Sequence, residues 1–326
     1  MTRSRAGFAL AKLNDALMAY ASERQGPASR PIPSNVTLDH IVAHVDQRLD
    51  ALCDTSWINL RISMEQRPTR EFLIDNMGPL VASLAEVHSP AAWWFLVKRD
   101  VDGVAMRLRI ASSEGDRGAT HRAIDSWLER QQLQAAFPIY EPEYHIFGGP
   151  VGMQLAHQAF CADSAFVHTF VSTIGPKAER LLLPVGLSLI ALVRLIRATG
   201  ADDFELIDIF ERVKRMRPLA EESAAKLPQV TQWVTTLLES DTALLPSIDA
   251  PIEHAFHEYL KKMLACGEQL STANVRGRLQ GGIRQVLAGI AIFHWNRVGY
   301  SVNEQALFAH ALTRYQRHRV ASQGQI

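Results

Sequence analysis

Three groups of residues in this sequence have types and spacings that could do chemistry. The first is Arg107 and Arg109, in VAMRLRI. On a strand, positions two apart share a face, so two guanidinium groups would stand side by side while Met106, Leu108 and Ile110 face the other way. Adjacent like charges repel, and the natural partner of such a pair is an anion. Arginine's planar fork suits a carboxylate. The other reading is a solvated sheet face with both arginines paired to Asp or Glu. The second group is His294, Asn296 and Arg297, in IAIFHWNRVGY. Val286–Phe293 is apolar on every side and reads as a buried helix. His294 and Arg297, three apart, share a face at its end, and polar groups there point to a cavity wall. A histidine can transfer protons near neutral pH; the competing reading is a satisfied core histidine. The third group is YEPEYHIFGGP, where Glu143 and His145 precede a glycine turn and a helix from Val151. A polar strand end, a Gly-Gly turn and a helix N-terminus can build a ligand site, or only a turn.

Periodicity gives the elements that must position these groups. Trp57–Met64, WINLRISM, alternates and predicts a strand with Trp57, Asn59 and Arg61 on one face. A helix is expected over 68–87. Trp93–Lys98 reads as a central strand, and Val104–Ile110 as its hairpin partner after a turn at Val101–Gly103. A helix is expected over Thr120–Ala136. Beyond the glycine turn the pattern is helical over 151–172, 177–199, 204–217, 220–239, 250–265, 278–296 and 304–317. The expected fold class is α+β, mostly helical, with a small mixed β-sheet in the N-terminal half. Upstream, residues 6–23 and the stretch carrying Leu38, Ile41, Val42, Val45, Leu49 and Leu52 predict two amphipathic helices joined by a Pro/Gly/Ser-rich linker. The expected organisation is an N-terminal helical extension, 1–52, and a main domain, 53–326.

The chain has 326 residues, 47% of them hydrophobic, enough for a substantial core. Lys+Arg and Asp+Glu both number 34, so the formal net charge is zero and gives no global reason for nucleic-acid or membrane binding. Cys53, Cys161 and Cys266 are too few and too far apart for a disulfide framework. His157 and Cys161 share a helix face, but two ligands do not make a zinc site. The most apolar run, Leu181–Val193, contains Pro184 and Gly186 and is too short to cross a bilayer. A cytoplasmic protein is expected. Arg314, Arg317, His318 and Arg319 form a basic C-terminal cluster, read as a solvated helix end or as a binding patch for an acidic leader peptide. No P-loop, dinucleotide fingerprint, zinc motif or nucleophile elbow is present.

The order Tyr140, Glu143, Ile146-Phe147-Gly148-Gly149-Pro150 and Asp163-Ser164 resembles the signature of the lantibiotic dehydratase C-terminal family, the thiopeptide-type bacteriocin biosynthesis domains. That signature runs Tyr-x-x-Glu-x-x-(Arg/Ala)-(Tyr/Phe)-Gly-Gly-Pro, a helix, then Asp-Ser. Trp93–Phe95 followed by Met106–Arg109 resembles the family's aromatic strand and its Leu-Arg-Leu-Arg strand, and His294, Asn296 and Arg297 match its His-x-Asn-Arg motif. The resemblance runs from roughly Trp57 to Gln316. It implies that His294, Arg107 and Arg109 are catalytic, that Glu143, His145, Asn296 and Arg297 contact substrate, and that no metal or cofactor is needed. The implied activity is that of a lyase, the stand-alone elimination subunit of a split lanthipeptide or thiopeptide dehydratase. It would remove glutamate from glutamylated Ser or Thr of a ribosomal precursor peptide, leaving dehydroalanine or dehydrobutyrine. The implied partners are that peptide, leader and core, and a separate tRNA-dependent glutamylation subunit; no direct nucleic acid or membrane contact is expected, and a homodimer is compatible. Two positions depart from the family: Val104-Ala105 replaces a frequent Pro-His or Pro-Gly, and Ile146 stands where eliminating members often carry arginine. The alternatives are a pyridine synthase, joining two dehydroalanines by aza-[4+2] cycloaddition with leader release, and a non-catalytic partner that binds the precursor peptide.

Overall fold

The computed structural model describes residues 56–87, 92–100, 103–113, 115–175, 184–240, 249–322 and 324; the expected N-terminal extension and Cys53 lie outside them. Alternation in WINLRISM produces strand β1, Trp57–Met64. Helix α1, Arg70–Phe72, is capped by the Thr69 hydroxyl, which accepts from the Phe72 N–H. It passes through a π-helical turn, Leu73–Met77, into α2, Gly78–Val87. Strands β2, Trp93–Asp100, and β3, Gly103–Ala111, form the predicted hairpin.

The fold is α+β and mostly helical, with its sheet in the N-terminal half, as expected. The sheet order is β2-β3-β1-β4, β4 being only Ala135–Ala136. Every pairing is antiparallel rather than mixed. The reason is topological. β1 and β2 run the same way, as strands joined through a helix do, but β3 lies between them and no parallel neighbours arise. Helix α3, Arg117–Arg130, stops short of the expected Ala136. Gln132 takes a left-handed φ of 54°, and Ala135–Ala136 peels off to pair with Ile62 and Arg61.

The rest of the described chain is helical: α4, Gly149–Ile174; α5, Val185–Ala198; α6, Asp203–Met216; α7, Glu221–Ala224; α8, Leu227–Glu239; α9, Ala250–Val275; α10, Ile283–Arg297; and α11, Val302–Ser322. α9 continues past 265 because Cys266, Leu270 and Ala273 prolong its buried face. α10 is buried on all sides from Val286 to Trp295 and packs against β2, α4 and α6. In the basic C-terminal cluster Arg314, Arg317 and His318 are exposed, as at a solvated helix end, with Arg317 paired to Glu211 at 2.9 Å and Arg319 near Asp203 at 3.6 Å. Among the described residues, no helix is long and apolar enough to cross a membrane.

Strand β2 lies at the edge of the sheet, yet at Phe95 its outer backbone groups are engaged by helix side chains. The Phe95 N–H donates to Ser164 Oγ at 3.1 Å, and Arg297 Nε donates to the Phe95 carbonyl at 2.8 Å. Open strand edges template unwanted pairing, and α4 and α10 block that edge at Phe95. The start of α4 is equally tight. A Cβ on Gly152 would overlap the Phe147 carbonyl oxygen, so Gly152→Ala is expected to destabilise the protein by about 1–3 kcal/mol. A urea unfolding midpoint equal to the parent's would show instead that the turn relaxes without cost.

Candidate active site

The register of β3 decides what stands beside its arginines. Arg109 lies opposite Asn59 of β1 and Trp94 of β2, while Arg107 lies opposite Arg61 and Leu96. One sheet face therefore carries Arg61, Arg107 and Arg109 together. Arg61 was not recognised from sequence as a member of the group; its signal was its alternation with Asn59 and Trp57.

Arg109 does not behave as a solvated, carboxylate-paired arginine. It is 4% exposed, and its guanidinium lies over Trp94 at 4.5 Å and Tyr140 at 5.3 Å. Its Nε and Nη1 have no hydrogen-bond partner. Burial pushes its pKa down to about 10; Tyr140 and Glu143 hold it up, and Arg107 and Arg297 press it further down. It stays charged at neutral pH. Arg109 lines a cavity of about 240 Å³ together with Asn59, Arg61, Arg107, Tyr140 and Glu143. The Tyr140 hydroxyl is hydrogen-bonded to His157 Nε2 at 2.7 Å. Cys161, one turn on, has its thiol pushed up to about 12 by burial.

The glycine turn holds Glu143 and Ile146 in place. Gly148 and Gly149 take φ of 76° and 83°, a region open to glycine, and Gly149 N–H donates to the Tyr144 carbonyl at 2.7 Å. Gln280 N–H donates to the Gly148 carbonyl at 2.7 Å, and its side chain fills the space where a Gly149 Cβ would stand. The start of α4 is thus covered by the loop before α10 rather than open to a ligand. Ile146 packs on Gly289 of α10 and lines a second cavity, of about 290 Å³, with Lys98, Arg107, Glu143, Arg217 and Asn296. The two cavities share Arg107 and Glu143, and Glu143 Oε2 is buried without a hydrogen-bond partner. His145 is exposed and lines neither cavity.

The motif at the end of α10 is divided. Asn296 reaches the second cavity, its side-chain oxygen accepting from Gln305 Nε2 at 2.9 Å. His294 and Arg297 line neither cavity and are 1% and 0% exposed. His294 Nδ1 bonds to Asp163 Oδ2 at 2.8 Å and its Nε2 to Ser188 Oγ at 2.7 Å, so both ring nitrogens are engaged. Arg297 Nη1 donates to Asp163, and the Tyr259 hydroxyl donates to Asp163 Oδ1 at 3.1 Å. Burial alone would raise the Asp163 carboxyl; the charges and hydrogen bonds of His294 and Arg297 outweigh it and hold the group below the usual range. Asp163 is the hub of this network, and neighbouring Ser164 fixes β2. Sequence reading gave Asp163 no role and missed Ser188 and Tyr259, because the partners lie about a hundred residues apart.

Residues 57–316 match the family model described as the lantibiotic biosynthesis dehydratase C-terminal region. The chain belongs to the lantibiotic dehydratase C-terminal family. Three solved structures show the same fold. The tRNA-dependent lantibiotic dehydratase MibB from Microbispora sp. 107891 is 17% identical with a TM-score of 0.61, over 82% of this chain and 28% of MibB. This chain therefore spans little more than a quarter of that dehydratase. TsrL is 15% identical with a TM-score of 0.55, over 81% of this chain and 95% of its own. The pyridine synthase TbtD from thiomuracin biosynthesis is 13% identical with a TM-score of 0.51, over 82% of this chain and 99% of its own. A search of curated proteins finds no match. Ile146, the position at which the expected family signature is departed from, stands in the wall of the second cavity.

Proposed function

We propose that this dehydratase-family protein is a stand-alone elimination enzyme that releases glutamate from glutamylated Ser or Thr of a ribosomal precursor peptide. The observation that carries the reading is Arg109, a buried, charged guanidinium with two nitrogens lacking partners at the wall of a cavity that Arg107 also lines. A buried charge without a partner is costly, so such a site is suited to an anion that arrives with the substrate. A base takes the α-proton of the esterified residue, the Cβ–O bond breaks, and its electron pair leaves on the glutamate carboxylate as the Cα=Cβ bond forms. The arginines stabilise the departing carboxylate and the developing enolate.

Glu143, with its buried and partnerless Oε2, is the group best placed to take the proton. His294, to which the family motif assigns that step, supports the site indirectly by holding Asp163, which in turn holds Arg297 against β2. The glutamyl group would come from a separate tRNA-dependent subunit, and the precursor peptide, leader and core, is the second partner.

The experiment is mass spectrometry of a glutamylated precursor peptide incubated with the protein. Loss of one glutamate per modified residue is expected, and Glu143→Gln should bind the peptide without that loss. A peptide that stays glutamylated would sink the proposal. One observation favours a second reading, cycloaddition to a pyridine. Ile146 joins Ile292 and Phe293 in an apolar wall, and no histidine lines either cavity. Incubation with a dehydrated, azole-containing peptide separates the two, because cycloaddition releases the leader.

A further inference from the structure

We infer that the second cavity is a carboxylate subsite of its own, and that Arg217 supplies there the cation missing at position 146. The inference rests on the elimination reading and adds to it where the second carboxylate of glutamate is held.

Arg217 is the C-cap of α6 and lies about seventy residues from the signature turn, yet it lines the same cavity as Ile146. An arginine at 146 would therefore address the space that Arg217 already addresses. The Arg217 side chain is built into place. Its Nε donates to Gln305 Oε1 at 2.9 Å and its Nη1 to the Met216 carbonyl at 2.9 Å. Gln305, itself fully buried, donates through Nε2 to Asn296 Oδ1 and to the Tyr300 carbonyl, each at 2.9 Å. One buried amide thus fixes two groups of the cavity, Arg217 and the Asn296 of the His-x-Asn-Arg motif. Among the described residues Arg217 Nη2 donates no hydrogen bond and its guanidinium forms no ion pair. The cavity carries Lys98, Arg107 and Arg217 against a single acid, Glu143.

The chemistry of the leaving group matches this arrangement. Glutamate departs with two carboxylates, one from its side chain and one formed as the ester breaks. The protein offers two cationic subsites, one with Arg109 and one with Arg217, and Arg107 lies in both. A dicarboxylate can span them, whereas a monocarboxylate can fill only one. An arginine placed at 146 and the existing Arg217 would then supply the same charge from different elements.

The test uses glutarate, a dicarboxylate of glutamate's length, titrated calorimetrically into the parent protein, Arg217→Ala, Arg217→Lys and the double variant Arg217→Ala/Ile146→Arg. Arg217→Ala is expected to weaken glutarate at least tenfold and acetate far less, with a smaller loss in Arg217→Lys. The double variant is expected to recover most of the affinity. Unchanged melting temperatures show that the variants fold. Glutarate binding equal in parent and Arg217→Ala, or absent in both, overturns the subsite. A folded double variant that recovers nothing overturns the exchange with position 146. Release of glutamate from a glutamylated peptide is followed in parallel. A parent that binds glutarate through Arg217 but eliminates nothing rejects the reaction and keeps the subsite. A parent and an Arg217→Ala variant that eliminate equally well reject the subsite and keep the reaction.

Discussion

Replacing Arg109 by methionine is expected to abolish glutamate release without lowering the stability of the protein. A preorganised donor aimed at developing charge contributes about 10²–10³ in rate, and Arg109 meets the conditions: buried, charged and fixed between Trp94 and Tyr140. The fold gains little from it. Two buried nitrogens without partners cost about 1–3 kcal/mol each in lost solvation, against roughly 0.5–2 kcal/mol for a cation over an aromatic face. Methionine fills the same channel and keeps contact with both rings. The expected outcome is a melting temperature equal to or above the parent's, together with a peptide that remains glutamylated in mass spectrometry. A fall of many degrees would mean that the cation–ring stack holds that corner of the sheet, and the case for an anion site would lose its main support.

Asp163→Ala is expected to have the largest effect on folding. It removes the acceptor of both His294 and Arg297, and Arg297 is then a fully buried cation with no anion. Breaking a buried pair in this way costs about 3–5 kcal/mol, out of a total stability of about 5–15 kcal/mol. Acid should reveal the same network. The folded carboxyl titrates below its unfolded value of about 3.9. Its contribution is therefore complete above that value and is lost as pH falls through the folded one. Urea midpoints measured from about pH 6 down to about pH 3 should drop in the parent, and drop less steeply over the acidic end in Asp163→Asn. Parallel curves for the two proteins would contradict the role given to Asp163.

The parts of the site that sequence could reveal are those written in local periodicity. Alternation put Arg107 and Arg109 on one face of a strand, and the apolar run before His294 marked a central helix; both elements are present. Periodicity says which face a residue occupies and nothing about which distant element lies against it. Hence Arg61, brought opposite Arg107 only by the β1–β3 register, went unrecognised. Arg217, at a helix end with no pattern around it, gave no signal at all. His294 shows the converse. Its motif and its helix were legible, but its partners Asp163 and Ser188, which engage both ring nitrogens, come from other helices. The same limit explains β4. Ala135–Ala136 reads as the tail of a helix until β1 is there to pair with it.

The closure of strand β2 also sets an order of events during synthesis. The Phe95 amide waits 69 residues for Ser164, and its carbonyl waits 202 residues for Arg297. At about 5–20 residues per second, roughly 10–40 s pass between the emergence of Phe95 and that of Arg297. For that interval an apolar strand, WWFLV, has no lasting partner for its outer carbonyl. The lock on this strand therefore closes only after α10 has emerged, long after the β2–β3 hairpin itself can pair.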